Sequence, residues 1–232
     1  MCGRYVLNMT EAEIVDRFGP LEWIRDVRIA PRFNVAPTQL MPVVVAVGGG
    51  TRQGRVMRWG FIPPWARDFK VAPINARVET VAENRMFRPA LGSRRCLVPA
   101  TGFYEWAGAG KTRRPRLFVM ADGSGFGFAG LWSAWTGPAG EVVESYTILT
   151  TEPNALVAAV HDRMPAILPR AAYDAWLGGG KQPLEEVVKL IGPYPAAEMR
   201  AIAVSPRVNA VGNDDPSLVE PIGAQAPLDL GG

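Results

Sequence analysis

The sequence predicts one α+β domain with mostly antiparallel, strongly coiled β-sheets around a barrel-like core, flanked by short helices. Three observations lead there. The 232 residues, 48% of them hydrophobic, can bury a sizeable core and fit one large domain or two small ones. Short apolar and aromatic runs rich in β-branched residues recur along the middle of the chain, closed by Gly and Pro turns. No internal repeat and no obvious linker divides the chain, so one domain over residues 1–222 with a loose tail over 223–232 is expected.

In order, Arg4 to Leu7 reads as a short strand that carries the N-terminus into the fold. Thr10-Glu11-Ala12-Glu13 has the spacing of a capping box, opening a short helix that Gly19-Pro20 ends. Pro31 to Pro37 is punctuated by proline and predicts an irregular loop. Val43 to Val47, closed by Gly48-Gly49-Gly50, predicts a strand with Arg55 to Phe61 as its hairpin partner. Pro63-Pro64-Trp65 predicts a rigid, exposed turn, and Pro73 to Arg77 an extended segment before a short helix around Glu79 to Met86.

Cys96 to Trp106 reads as one strand, followed by a Gly/basic turn from Gly108 to Arg114. Further strands are predicted at Leu117–Met120, Phe126–Trp135 and Glu144–Thr151. Pro153 suits a first helical position, which predicts a helix to about Val160. Two amphipathic helices follow near Arg170–Leu177 and Pro183–Ile191, and one more strand at Ala201–Val204.

Composition narrows the class. Charged residues make up 20%, which argues against a disordered chain. Only Cys2 and Cys96 are present, so there is no disulfide framework and a reducing compartment is expected. No run approaches the ~20 apolar residues of a membrane span, and the N-terminus lacks the apolar core of a signal peptide. The expectation is a cytoplasmic, cytosolic or nucleoid-associated protein. Between Arg77 and Met120 nine basic residues stand against three acidic ones, an excess that suits a polyanion and equally a solvated surface.

Cys2 carries the most distinctive chemistry. Its small side chain favours removal of Met1, which leaves an α-amine and a thiol on adjacent carbons. An amine with pKa about 7.7–8.0 can attack an aldehyde to form an imine. A thiol with pKa near ~8.5 can then close onto the imine carbon as a five-membered thiazolidine. Glu105 interrupts the aromatics Phe103, Tyr104 and Trp106: pointing inward it becomes a proton donor near neutrality, and pointing outward it is an ordinary strand residue. His161, the only histidine, is either catalytic or a cap at a helix end, and one His with two Cys has no recognisable zinc spacing. Asn75 can orient a reactive group or satisfy its loop, and Trp65 can stack on bases or pack on the core.

Taken together, these motifs resemble the SOS-response-associated peptidase (SRAP) family, whose members process abasic sites. The matching stretches are Met1 to Tyr5, Asn34 to Pro37, Trp59 to Phe61, Ile74 to Thr80, Arg85 to Phe87 and Gly102 to Trp106. His161 to Pro165, Val204-Ser205 and Val211 to Asn213 continue them in order. Members often carry two adjacent aromatics where this chain has Trp65-Ala66, which leaves the size of a stacking wedge open.

The resemblance implies that Cys2 bonds covalently to the aldehyde of an abasic site in single-stranded DNA. It implies Glu105 as general acid/base, His161 for imine formation, reversal and strand scission, and Asn75 for orienting the amine. Arg4 and Arg77, with Arg163 as a weaker candidate, are implied as phosphate contacts, and Trp65 and Pro37 as packing on neighbouring bases. No metal or organic cofactor is called for, and a monomer is expected. Two other readings stand beside it: an autoproteolytic thiol peptidase with an N-terminal nucleophile, and a single-strand-binding module whose cysteine is incidental.

Overall fold

The computed structural model describes residues 2–24, 29–48, 50–108, 110, 113–178 and 183–223. The expected tail therefore lies almost wholly outside the described residues, as do parts of the Gly48–Gly50 and Gly108–Arg114 turns. The chain opens with β1 (Tyr5–Leu7), α1 (Glu11–Phe18), β2 (Leu21–Trp23), β3 (Arg32–Val35), β4 (Leu40–Ala46) and β5 (Arg52–Trp59). Its middle holds β6 (Asn75–Arg77), α2 (Val78–Val81), α3 (Arg88–Ser93), β7 (Arg95–Ala100) and β8 (Gly102–Ala107). The long strands β9 (Arg114–Met120), β10 (Phe126–Thr136) and β11 (Val142–Thr151) follow. Short pieces finish it: α4 (Ala155–Ala158), β12 (Met164–Pro165), β13 (Ile167–Leu168), α5 (Tyr173–Leu177), α6 (Leu184–Val188) and β14 (Met199–Ala203).

The strands form two sheets. One runs β14-β9-β8-β1-β3, all antiparallel. The other carries β11-β10-β7-β4-β5 as a continuous path, and a parallel contact of Ser145 and Tyr146 with Arg58 and Trp59 returns β5 to β11. That return closes a ring of five strands, so the expected barrel-like core is present. Tyr5, Leu7, Phe103 and Phe118 turn one face of the first sheet into the main core. The alternate residues Val6, Tyr104 and Leu117 face a smaller cluster closed by Val208 and Leu218.

Local rules account for several elements. Thr10 accepts from the Glu13 N–H while the Glu13 carboxylate accepts from the Thr10 N–H, so the capping box opens α1, and Gly19 ends it at φ 84°. Four expectations need correction. The Pro31–Pro37 stretch is not irregular, because Arg32–Val35 pairs with β1 and so satisfies its backbone despite the flanking prolines. Cys96–Trp106 is two strands, broken at Thr101, where the chain passes from the closed ring to the other sheet. Pro153 is not at a first helical position: Asn154 caps α4 through the Val157 N–H, so Pro153 precedes the cap. The helix expected around Glu79 to Met86 ends at Val81, and a second helix with Pro89 in its first turn follows.

Candidate functional site

The pairing of β1 with β8 positions the N-terminus. Tyr5 lies opposite Phe103 and Val6 opposite Gly102, and the Tyr104 N–H donates to the Arg4 carbonyl at 3.0 Å. Continued by two residues, that register sets Gly3 against Glu105. The residue that follows Met1 is thereby brought beside the carboxyl that the aromatic run carries. Cys2 is fully buried, and its thiol lies 3.8 Å from the Arg4 carbonyl. Burial pushes that thiol far above its ordinary value, and the nearby Glu105 charge pushes in the same direction.

Glu105 points inward and is only 2% exposed. Burial raises its carboxyl to about 7, against the opposing pull of positive charge at the amino terminus. A cavity of about 620 Å³ joins Gly3, Arg4, Glu105, Trp106, Arg113 and His161. The His161 Nδ1 accepts from the Arg163 N–H at 3.0 Å and lies 2.9 Å from the Asp162 carboxylate. Burial, then the amino-terminal charge, lowers the imidazole below its ordinary value, so it is neutral at pH 7.

Arg4, Glu105 and His161 therefore converge on one cavity, and Cys2, itself fully buried, lies behind its Gly3 wall within the influence of the Glu105 charge. The other expected site residues lie apart from this cavity's lining. Arg4 reaches it with its guanidinium held, donating to Asn34 Oδ1 at 2.7 Å and to the Val208 carbonyl at 2.8 Å. Asn75 stands on β6 opposite Ile148, and its Oδ1 is buried with no hydrogen-bond partner among the described residues. Arg77 is exposed at the start of α2. Arg163 forms a bidentate pair with Glu79, at 2.6 and 2.9 Å. Pro37 is half-buried at the end of β3, ahead of a turn in which Thr38 adopts φ 75°. Trp65 is 67% exposed and borders a separate hollow with Phe61, Arg85, Arg94 and Trp132.

Sequence reasoning missed Trp106, Arg113 and Asn209 as lining residues. Trp106 follows Glu105 directly on β8, but alternation assigns it to the opposite face, so spacing alone did not place it at the cavity. Its Nε1 donates to Asn209 Oδ1 at 2.7 Å, and the Arg113 guanidinium lies 5.9 Å from its ring centre. Nothing local marks Asn209, which arrives from a turn far along the chain. Two of the matching stretches, Asn34 to Pro37 and Val211 to Asn213, are joined within the fold. The buried Asn34 side chain donates to the Ala210 and Asn213 carbonyls at 3.1 and 2.8 Å, locking β3 to the C-terminal segment. Among the described residues no group of three or more His, Cys, Asp or Glu side chains is arranged to hold a metal ion. No described helix is long and apolar enough to cross a membrane.

Fold and site together define an α+β protein in which a buried cysteine at position 2 lies close behind a cavity that holds a buried carboxyl and an imidazole. The chain belongs to the SOS response associated peptidase (SRAP) family, whose pattern it matches over residues 1–211. It is 39% identical over 223 residues to the abasic site processing protein YoqW of Bacillus subtilis, covering 95% of this chain and 99% of that one. It is 30% identical to the abasic site processing protein HMCES of Gallus gallus, covering 99% of this chain and 80% of that one. A crystal structure of a Bacteroides thetaiotaomicron protein superposes with a TM-score of 0.83 at 24% identity, over 95% of this chain and all of that one, a likeness of fold.

Proposed function

We propose that this protein senses abasic sites in single-stranded DNA and joins itself to them through Cys2, shielding the lesion during repair. Residues 1–222 form the working domain in this reading, and the protein acts as a monomer without metal or organic cofactor. The observation that carries it is the buried Glu105 carboxyl, raised to about 7 and set by strand register beside the residue that follows Met1. A group that is half ionised at neutral pH can both give and take a proton.

The chemistry proceeds in balanced steps. After Met1 is removed, Glu105 protonates the leaving oxygen as the sugar opens to its aldehyde. The Cys2 amine adds to C1′ and one water leaves, forming the imine. The sulfur then bonds to that carbon while the thiol proton passes, through the Glu105 carboxylate, to the former imine nitrogen. The product is a thiazolidine, with one water lost overall. Neutral His161 relays the proton that the amine sheds, and serves reversal and any strand scission by the same route in the other direction. The unpartnered Asn75 Oδ1 is suited to accept from an amine. Arg77, exposed, meets phosphate; Arg4 lends charge at the cavity rim, with Arg163 a weaker candidate, and Trp65 and Pro37 pack on flanking bases.

The peptidase reading fares worse on the same observations. A thiol peptidase opens its reaction with a thiolate, which burial of Cys2 disfavours, whereas here the amine attacks first and the thiol closes only as the Glu105 carboxylate takes its proton. The test is incubation with an abasic single-stranded oligonucleotide, followed by denaturing gel and intact mass. A heat-stable adduct lacking Met1 and one water is expected. An equally stable, unreduced adduct from Cys2→Ala overturns the proposal.

A further inference from the structure

His161 faces two partners with opposite demands at one atom. Accepting from the Arg163 N–H requires a lone pair on Nδ1, whereas donating to the Asp162 carboxylate requires a proton there. The neutral imidazole makes the first bond only, which places its proton on Nε2. The bond that selects this tautomer depends on where the Arg163 backbone sits, which the pairing of β12 with β11 anchors from Met164 onward and the Arg163 side chain anchors at Arg163 itself. Its guanidinium donates twice to Glu79 and once, at 2.6 Å, to the Thr150 carbonyl. Thr150 lies opposite Arg77 in the β6–β11 register, and Glu79 follows Arg77 by two residues on α2. One carboxylate therefore ties the His161 loop to the segment that bears Asn75 and Arg77.

We infer that Glu79 is a positioning residue: through its bidentate bond to Arg163 it fixes the His161 tautomer and ties that loop to the segment that bears Asn75. This rests on the reading of His161 as a proton relay, but the geometry it describes exists without DNA. Arg163 in this role is a tether, a part separate from its weaker candidacy as a phosphate contact. The pair is only partly covered, with Glu79 47% and Arg163 14% exposed, so it organises a loop without being needed for the core. Asp162, Arg113 and the amino terminus act on His161 by charge and the Arg163 N–H by hydrogen bond, with Glu105 sharing its cavity. None of these is removed by a change at Glu79.

Because His161 is the only histidine, its imidazole nitrogens give an unambiguous nitrogen-edited NMR spectrum in the DNA-free protein. The wild type is expected to show one neutral tautomer, with the proton on Nε2, and Glu79→Gln and Arg163→Lys a mixture of the two. Freed from its tether the ring gains solvent, so its titration midpoint should rise toward the ordinary histidine value. On abasic single-stranded DNA, Glu79→Gln should slow adduct formation by about tenfold with the pH profile displaced the same way. Unchanged tautomer and midpoint in both variants, with melts still cooperative, overturn the inference. An altered NMR spectrum without any wild-type adduct would instead overturn the proposed function alone.

Discussion

The two cysteines make a natural experiment. Cys2 and Cys96 are both fully buried, and burial pushes both thiols far above their ordinary values. Cys96 lies inside β7, flanked in register by Gly130 of β10 and Val45 of β4, and its carbonyl accepts from the Trp176 indole at 2.8 Å. Burial is what raises its thiol. Cys2 lies just ahead of a three-residue strand, and its thiol also feels Glu105 and the terminal charge. Depth of burial thus does not separate an inert thiol from a candidate reactive one. What separates them is a proton carrier within reach and a chain end that supplies an amine.

The largest effect expected from breaking this contrast is on the adduct itself. Cys2→Ala should abolish the heat-stable product, and Cys2→Ser should leave only an imine that borohydride traps. Cys96→Ser should crosslink at the wild-type rate while losing roughly 1–3 kcal/mol of stability, since a buried hydroxyl replaces an apolar thiol. A Cys96 variant that loses crosslinking with its melt intact would erase the distinction between the two sites.

Glu105→Gln sharpens the comparison from the carboxyl side. It should slow crosslinking by about 10²–10⁴-fold with DNA affinity nearly unchanged, as read from a time course and a binding titration. It should also stabilise the protein, with a definite pH dependence. The folded-state pKa of about 7 lies above the ordinary 4.5, so between those values the native state binds more protons than the unfolded one, and stability falls as pH rises. The cost is absent below about pH 4 and reaches about 3 kcal/mol above pH 7. Melts of wild type and Glu105→Gln should therefore coincide at pH 4 and separate at pH 8, with the variant higher.

Smaller changes are expected from His161→Ala, which should slow formation and reversal by about 10²-fold, reversal more strongly. A chase with excess unlabelled abasic DNA measures the second rate. The smallest concerns Arg77. If it and two or three other cations meet phosphate, the salt slope on single strands is about −2 to −3, and Arg77→Ala removes about 0.7 of it. An unchanged slope would leave Arg77 a solvated helix-end residue, no more than Cys96 is a nucleophile.

Much of this molecule was determined by sequence alone, wherever the cause is local. A capping box needs only Thr10 and Glu13 three residues apart, and the alternation of apolar residues fixes which side of β8 is inward once one side is known. The ordered set of motifs was enough to indicate the family. Tertiary structure decided the rest, because the deciding partners are distant in the chain. Arg32–Val35 became a strand because β1 was there to pair with it, and Cys96–Trp106 became two because its halves found different sheets. Asn34 and Asn213 proved to be a fastening between two ends of the domain, 179 residues apart. Glu105 could face either way from its spacing alone. Only the sheet that closes over it removes its water, raises its carboxyl, and brings it beside the chain's first residues, because desolvation is a property of the packed whole.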